Sequence, residues 1–119
     1  MSAGNVFLAD CPARLAVEII ADKWAVVVLY GLADGPKRHG GLVGLIGGIS
    51  KKVLTHTLRR LQTYGLVARH AHAEAPPRVE YELTELGHTL VGPIRMLTRW
   101  AESHGEAVLD AQEGYQPVG

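Results

Sequence analysis

The spacing of apolar residues changes period at Gly65 and again at Thr84, and this double change most constrains what the chain can become. Upstream of Gly65 the apolar residues recur at helical intervals. Over residues 66–73 they alternate with polar ones, Val67, Arg69 and Ala71 against Ala68, His70 and His72, which is the period of a strand. Pro76-Pro77 interrupts the pattern, and residues 78–83 alternate again. The segment therefore reads as a β-hairpin with a proline-stiffened tip, set between two helical regions.

The helical regions divide at local signals. Asp10-Cys11-Pro12 opens a first helix, because proline in the first turn loses nothing by lacking an N–H. That helix runs through Leu15, Ile19 and Ile20 and stops near Asp22. A second spans about 23–34, with Trp24, Val27, Val28 and Leu32 at helical spacing, and ends at Asp34-Gly35-Pro36. The β-branched run Val26-Val27-Val28 would suit a strand, but apolarity all round between two caps favours a buried helix. A third covers 39–46, where Gly40, Gly41 and Gly44 are poor helix formers. Gly47-Gly48-Ile49 makes a tight turn, Ser50 caps a fourth helix over 51–64, and Gly65 closes it. After the hairpin, Thr84 caps a long last helix over about 85–104 through Leu86, Leu90, Ile94, Leu97 and Trp100. Pro93 predicts a kink or short break within it. Residues 1–10 are expected to form a flexible arm, and 105–119 an acidic, loosely held tail. The order is that of a mainly α fold with a small β-hairpin wing (α+β). It is a winged helix-turn-helix, with a recognition helix at about 50–64, a wing at about 66–83 and helical extensions at both ends.

A chain of 119 residues suffices for one domain with a single core. Aromatics make up only 6% of it, so a partner surface is expected to complete that core. One cysteine, Cys11, excludes an internal disulfide framework and suits a reducing compartment. The first ten residues lack the charged and apolar regions of a signal peptide. The longest apolar run, about 25–33, is far short of the ~20 residues a membrane span needs. These features predict a soluble cytoplasmic protein with no membrane partner.

Charge narrows the function. Between Gly35 and Ala73 there is no Asp or Glu, while Lys37, Arg38, Lys51, Lys52, Arg59, Arg60 and Arg69 all lie there. All 12 acidic residues fall outside it, so a formal net charge of +0 conceals a cationic middle between acidic flanks. Such a middle suits a polyanion such as DNA. On the fourth helix, Leu58 and Leu61 lie within about 40° of Leu54, whereas Lys52, His56, Arg59 and Thr63 face the other way. Thr55 and Arg60 sit on the shoulders. Long donors opposite an apolar stripe, behind a capped N-terminus, are what a recognition helix needs. A merely solvated helix would mix signs and gain from i,i+4 pairs, and this one carries no acid. On the hairpin, Arg69 and Arg78 would reach a phosphate backbone or minor groove, although Arg78 could equally pair with Glu80 or Glu82.

These residues resemble the HxlR-type family of bacterial winged-helix transcriptional regulators, over about Cys11 to Trp100. The matches are Cys11-Pro12, Asp22-Lys23-Trp24, Gly35-Pro36-Lys37-Arg38, Ile49-Ser50-Lys51-Lys52-Val53-Leu54-Thr55, Leu58-Arg59 and Gly65-Leu66-Val67. The most specific is the wing and its exit, Pro76-Pro77-Arg78-Val79-Glu80-Tyr81 followed by Leu83-Thr84-Glu85-Leu86-Gly87. The resemblance implies a homodimeric DNA-binding regulator, most often a repressor, paired through its N- and C-terminal helices. Ser50, Lys51, Lys52, Thr55, His56 and Arg59 would enter the major groove of a double-stranded operator, supported by Arg69 and Arg78 on the wing. Lys37, Arg38 and Arg60 complete the expected DNA-binding set. Two departures stand out: His39-Gly40-Gly41 replaces the family's aromatic and polar or acidic residues, which loosens the third helix, and His56 stands where Gln is frequent.

Some members of the family resemble thiol switches that sense quinones, aldehydes or oxidants through a cysteine at the position of Cys11. A thiol at a helix N-terminus, with Arg14 one turn on, should have a lowered pKa, though Asp10 opposes this. With one cysteine per chain, oxidation must end in a bond to the other subunit's Cys11, a mixed disulfide or an adduct. The alternative is a small buried apolar residue doubling as a cap. Regulation by a small molecule or a metal is a further possibility, but the histidines and Cys11 show no metal-ligand spacing, and no cofactor is expected. The chain has no phosphate-binding glycine loop and no nucleophile elbow, so it does not read as an enzyme. A winged helix used only for protein association is the remaining alternative.

Overall fold

The period changes carry through to the tertiary structure. A computed structural model describes residues 5–117 and contains α1 (Pro12–Ile20), α2 (Ala25–Gly31), α3 (His39–Leu45), α4 (Lys51–Thr63), β1 (Val67–His72), β2 (Arg78–Leu83), α5 (Glu85–His88) and α6 (Val91–Gly114). Leu54, Leu58 and Leu61 bury one face of α4 in a common core with Val28 and Leu29 of α2, Leu32 at its C-cap and Leu42 of α3. Leu66, Val67 and Leu83 at the base of the hairpin, and Ile94 of α6, close the same core. The arrangement is a winged helix-turn-helix, α2, α3 and α4 with the hairpin behind them.

The wing is braced on both sides. β1 and β2 pair antiparallel from Val67↔Leu83 to His72↔Arg78. Lys37, on the segment leading into α3, exchanges backbone hydrogen bonds with Tyr81, at 2.9 and 2.8 Å. This bridge ties the outer edge of β2 to the start of the helix-turn-helix. At the base of the hairpin, Thr84 Oγ1 donates to Gly65 O (2.6 Å) and accepts from Gly87 N–H (3.0 Å), while Thr84 N–H donates to Leu66 O (3.1 Å). The end of α4, the exit of β2 and the start of α5 thus meet at one threonine. Gly65 sits at φ +76°, a conformation for which glycine pays no Cβ penalty.

Two expectations needed correction, and the break expected from Pro93 falls at residues 89–90. α2 is shorter than 23–34, because its last turn tightens: Ala33 N–H donates to Tyr30 O, three residues back. The last helix is broken into α5 and α6. Pro93 stands in the first turn of α6, where its missing N–H is harmless, whereas a continuous helix would set its ring against a preceding carbonyl. Finally, 105–119 is no loose tail up to Gly114, since α6 runs ten residues past the expected end at 104. Ala, Glu and Gln in that stretch are good helix formers, and one glycine at 105 costs only about 1 kcal/mol. Of the expected arm, residues 1–4 lie outside the described residues, and 5–10 form turns against the head of α1. Among the described residues, no helix is long and apolar enough to cross a membrane.

Glycines separate cleanly into required and optional. A Cβ on Gly87 would lie 2.1 Å from Leu66 O, a backbone atom that cannot move aside. Gly44 in α3 faces open space. Gly87→Ala should therefore destabilise the fold by about 1–3 kcal/mol or more, whereas Gly44→Ala should stabilise it by about 0.5–1 kcal/mol. Urea unfolding at one fixed protein concentration checks both, and an unchanged midpoint for Gly87→Ala would contradict the close approach.

Candidate nucleic-acid interface

α4 is positioned by its cap and by two side-chain ties. Ser50 is extended (φ −81°, ψ 157°), and its Oγ accepts from Val53 N–H at 3.0 Å. With three leucines and Thr57 buried, the 3.6-residue repeat leaves Lys51, Lys52, His56, Arg59 and Thr63 exposed. Among the described residues, no carboxylate lies within ion-pairing distance of Lys51, Lys52 or Arg59. The same holds for Arg38, the N-cap of α3, and for Arg69 on β1. These five cations form the open set.

Four of the expected DNA-contacting residues have other partners. Arg60 Nη1 lies 3.1 Å from Asp22 Oδ1, tying α4 to the α1–α2 turn. Lys37 Nζ pairs with Asp34, and that contact holds the Asp34 carboxyl below the usual carboxylate range. Arg78 pairs with Glu74 at 3.2 Å, and its buried Nε lies 3.4 Å from Glu80 Oε1 without hydrogen-bond alignment. Thr55 is half-buried. Its hydroxyl donates to Lys51 O, and the oxygen lies 2.9 Å from His39 Nε2, so it locks α3 to α4 rather than facing outward. His39 thus replaces the looseness expected of the glycine-rich third helix with a direct tie.

The wing is two-sided. His70 and His72 contact Glu82 and Glu80 on the facing strand, and Arg78 completes this outer face. Arg69 stands on the other face with Val67 and Tyr81. The outer face is therefore a mixed-charge network rather than a cationic strip. The Arg78–Glu80 contact is the alternative that the sequence left open, whereas those of Asp22 with Arg60 and of Glu74 with Arg78 were not anticipated, because both acids lie outside the acid-free stretch and only folding carries them back. Alternation on both strands was the one available signal for the His–Glu pairs.

Cys11 occupies the N-cap of α1, half-buried, with no full capping hydrogen bond from its side chain. Asn5 N–H donates to Sγ at 3.1 Å. Burial acts to raise the thiol pKa, but the N–H groups of Ala13, Arg14 and Asn5 together outweigh it and leave the thiol below its ordinary value. The Arg14 guanidinium takes no part: it binds Glu18 at 3.1 Å and donates to Phe7 O at 3.3 Å. Among the described residues, no group of His, Cys, Asp and Glu could hold a metal ion.

A helix-turn-helix with a braced antiparallel wing defines a winged-helix transcriptional regulator. The chain belongs to the HxlR-like helix-turn-helix family, which matches residues 19–108. It is 41% identical over 97 residues to the HTH-type transcriptional regulator YkvN of Bacillus subtilis, covering 82% of each chain. Among solved structures, ytfH from Salmonella typhimurium superposes with a TM-score of 0.80 at 34% identity, covering 93% of this chain and 99% of the other. The redox regulator HypR in its reduced form superposes with a TM-score of 0.75 at 32% identity, covering 83% and 98%.

Two measurements check the site geometry. Arg60→Ala should lower the urea midpoint slightly, as expected for a solvent-screened ion pair, while Lys52→Ala should leave it unchanged. Alkylation of Cys11 by iodoacetamide should reach half-maximal rate at a lower pH in the folded protein than in the urea-unfolded chain. An equal or higher pH for the folded thiol would contradict the amide stabilisation.

Proposed function

We propose that the protein is a cytoplasmic homodimeric repressor that reads a pseudo-palindromic operator through α4, and that the open cations define its contacts. The observation that carries this reading is the exposed face of α4. Lys51, Lys52 and Arg59 stand there without an acid, beside His56 and behind the capped Ser50. An acid-free row of donors suffers self-repulsion in isolation and gains only against a polyanion. Arg59 and Lys52 would reach base edges and phosphates in the major groove, and Arg38 and Arg69 would hold the flanking backbone. Ser50 keeps its O–H free to donate to phosphate while its oxygen caps the helix. Lys37, Thr55, Arg60 and Arg78 support the reading head from behind.

The dimer reading rests on surface that a lone chain leaves exposed. α1 has no buried residue, and α6 buries only Ile94. Leu97, Trp100 and Val108 of α6, with Leu15 and Val17 of α1, are each more than half exposed. Leu97, Trp100 and Val108 lie within about 80° of one another around α6 and so form one apolar side suited to a helix seam. Pairing through these elements would set half-site centres about 34–36 Å apart along the DNA. Cys11 on α1 would then lie beside the seam, where oxidation or attachment of a quinone or aldehyde could alter the pairing. The lowered thiol pKa and the likeness to a redox regulator support this switch.

The expected outcomes separate the parts. Arg59→Ala should abolish operator-specific retardation with the dimer intact, and operator affinity should fall steeply with added salt. Arg60→Ala should retain specific binding once its stability loss is allowed for. Cys11→Ser should bind DNA but lose release by diamide or benzoquinone. Wild-type retardation by Arg59→Ala would overturn the reading head, and normal release of Cys11→Ser would exclude the thiol.

A further inference from the structure

A cleft of about 600 Å³ opens between α2, the C-terminal end of α3 and α6. Its walls carry Trp24, Val27, Tyr30 and Leu45, and its rim carries Asp34 and Arg95. The size falls within the ~300–1,000 Å³ of small-molecule sites, which pair an apolar, aromatic lining with a few placed polar groups. Neither Cys11 nor any of the open DNA-facing cations lines it. The charge on the rim is uneven. Asp34 is engaged by Lys37 and more weakly feels the charge of Arg95, which itself has no carboxylate within ion-pairing distance among the described residues. Lys23 adds a second cation, with Nζ 5.3 Å from the centroid of the Trp24 ring.

We propose that this cleft binds a small planar aromatic anion, an arene carboxylate of one or two rings, with the ring against Trp24 and Tyr30 and the carboxylate on Arg95. A planar fork of donors matches a carboxylate in two parallel hydrogen bonds, and aromatic walls match the ring. A helix from a second copy is a poorer occupant. Its apolar face would bury a guanidinium without a partner, which is costly. Arg95 also lies about 140–160° around α6 from Leu97, Trp100 and Val108, so pairing along that seam leaves the cleft open.

The position of the cleft gives binding a consequence. Leu45, Ile46 and Gly47 line it, and Gly47 leads through Gly48, at φ +82°, directly to Ser50 and the start of α4. A ring wedged between this turn and α6 would move the recognition helix relative to the frame that pairs it. Ligand and operator would then change each other's affinity by the same factor. This coupling rests on the DNA-binding reading, whereas binding in the cleft does not.

The test uses the full chain at a concentration where sedimentation shows its native oligomer. Calorimetric titration with 2-naphthoate should show one saturable site per chain. The neutral 2-naphthamide and the cation phenyltrimethylammonium should bind about tenfold more weakly or worse, since each lacks the charge-assisted bond. Arg95→Gln should weaken 2-naphthoate by a similar factor and leave 2-naphthamide unchanged. Val27→Trp, on a partly exposed wall, should abolish both, with circular dichroism confirming the fold. Absence of saturable binding, preference for the cation, or full affinity in Arg95→Gln would overturn the site. Unchanged operator affinity with naphthoate bound would overturn the coupling alone and leave the DNA reading standing.

Discussion

Burial of one leucine stripe on α4 determines the rest of the arrangement. Leu54, Leu58 and Leu61 are almost entirely withdrawn from solvent, and a helix has no freedom to bury them without turning its opposite side outward. The exposed donors are thus placed by apolar packing rather than by attraction to one another, which their like charge forbids. The roll of the helix is then pinned from both sides, by Thr55 on His39 and by Arg60 on Asp22. The wing follows from the same packing, since Leu66, Val67 and Leu83 join that core and Thr84 gathers the chain around Gly65 and Gly87.

Electrostatics refine this frame. The acid-free stretch suggests a uniformly cationic reading head, but folding returns Asp22, Asp34, Glu74 and Glu80 to three of its expected contacts. What remains open is a smaller and better-defined set on α4, at the head of α3 and on one face of β1. Cations with partners hold elements together, and cations without partners are free for a ligand. The same distinction separates Arg95 from Lys37 at the rim of the cleft.

The helical frame around this head leaves much apolar surface in water as a single chain. α1 and most of α6 present apolar side chains to solvent, which fits a sequence with few aromatics and a small core. Under the proposed pairing, two different surfaces of α6 have different uses. The side bearing Leu97 and Trp100 suits a second subunit, and the side bearing Arg95 borders the cleft against α2 and α3. Both Cys11 and the cleft adjoin this frame rather than the open cations of α4.

Much of the fold was legible because it depends on local rules. The switch from helical to alternating period located the wing, Ser50 and Gly65 bounded the recognition helix, and Pro93 marked the break before α6. The leucine stripe identified which side of α4 would face outward. The end of α6 was misjudged because Gly105 reads as a stop locally, while good helix formers on both sides carry the helix through it. Gly87 was visible only as part of a motif, since its necessity comes from a backbone oxygen twenty-one residues earlier. By itself, then, the sequence determined the order of elements, the buried and exposed sides of each helix, and the separation of charge along the chain, because periodicity, caps and composition act over a few residues. Only the tertiary structure decided which cations are spent on Asp22, Asp34, Glu74 and Glu80, that Thr55 faces His39, and that a cleft opens beside Arg95. Ion pairs and cavities depend on distances between residues far apart in the chain, and no local pattern encodes those.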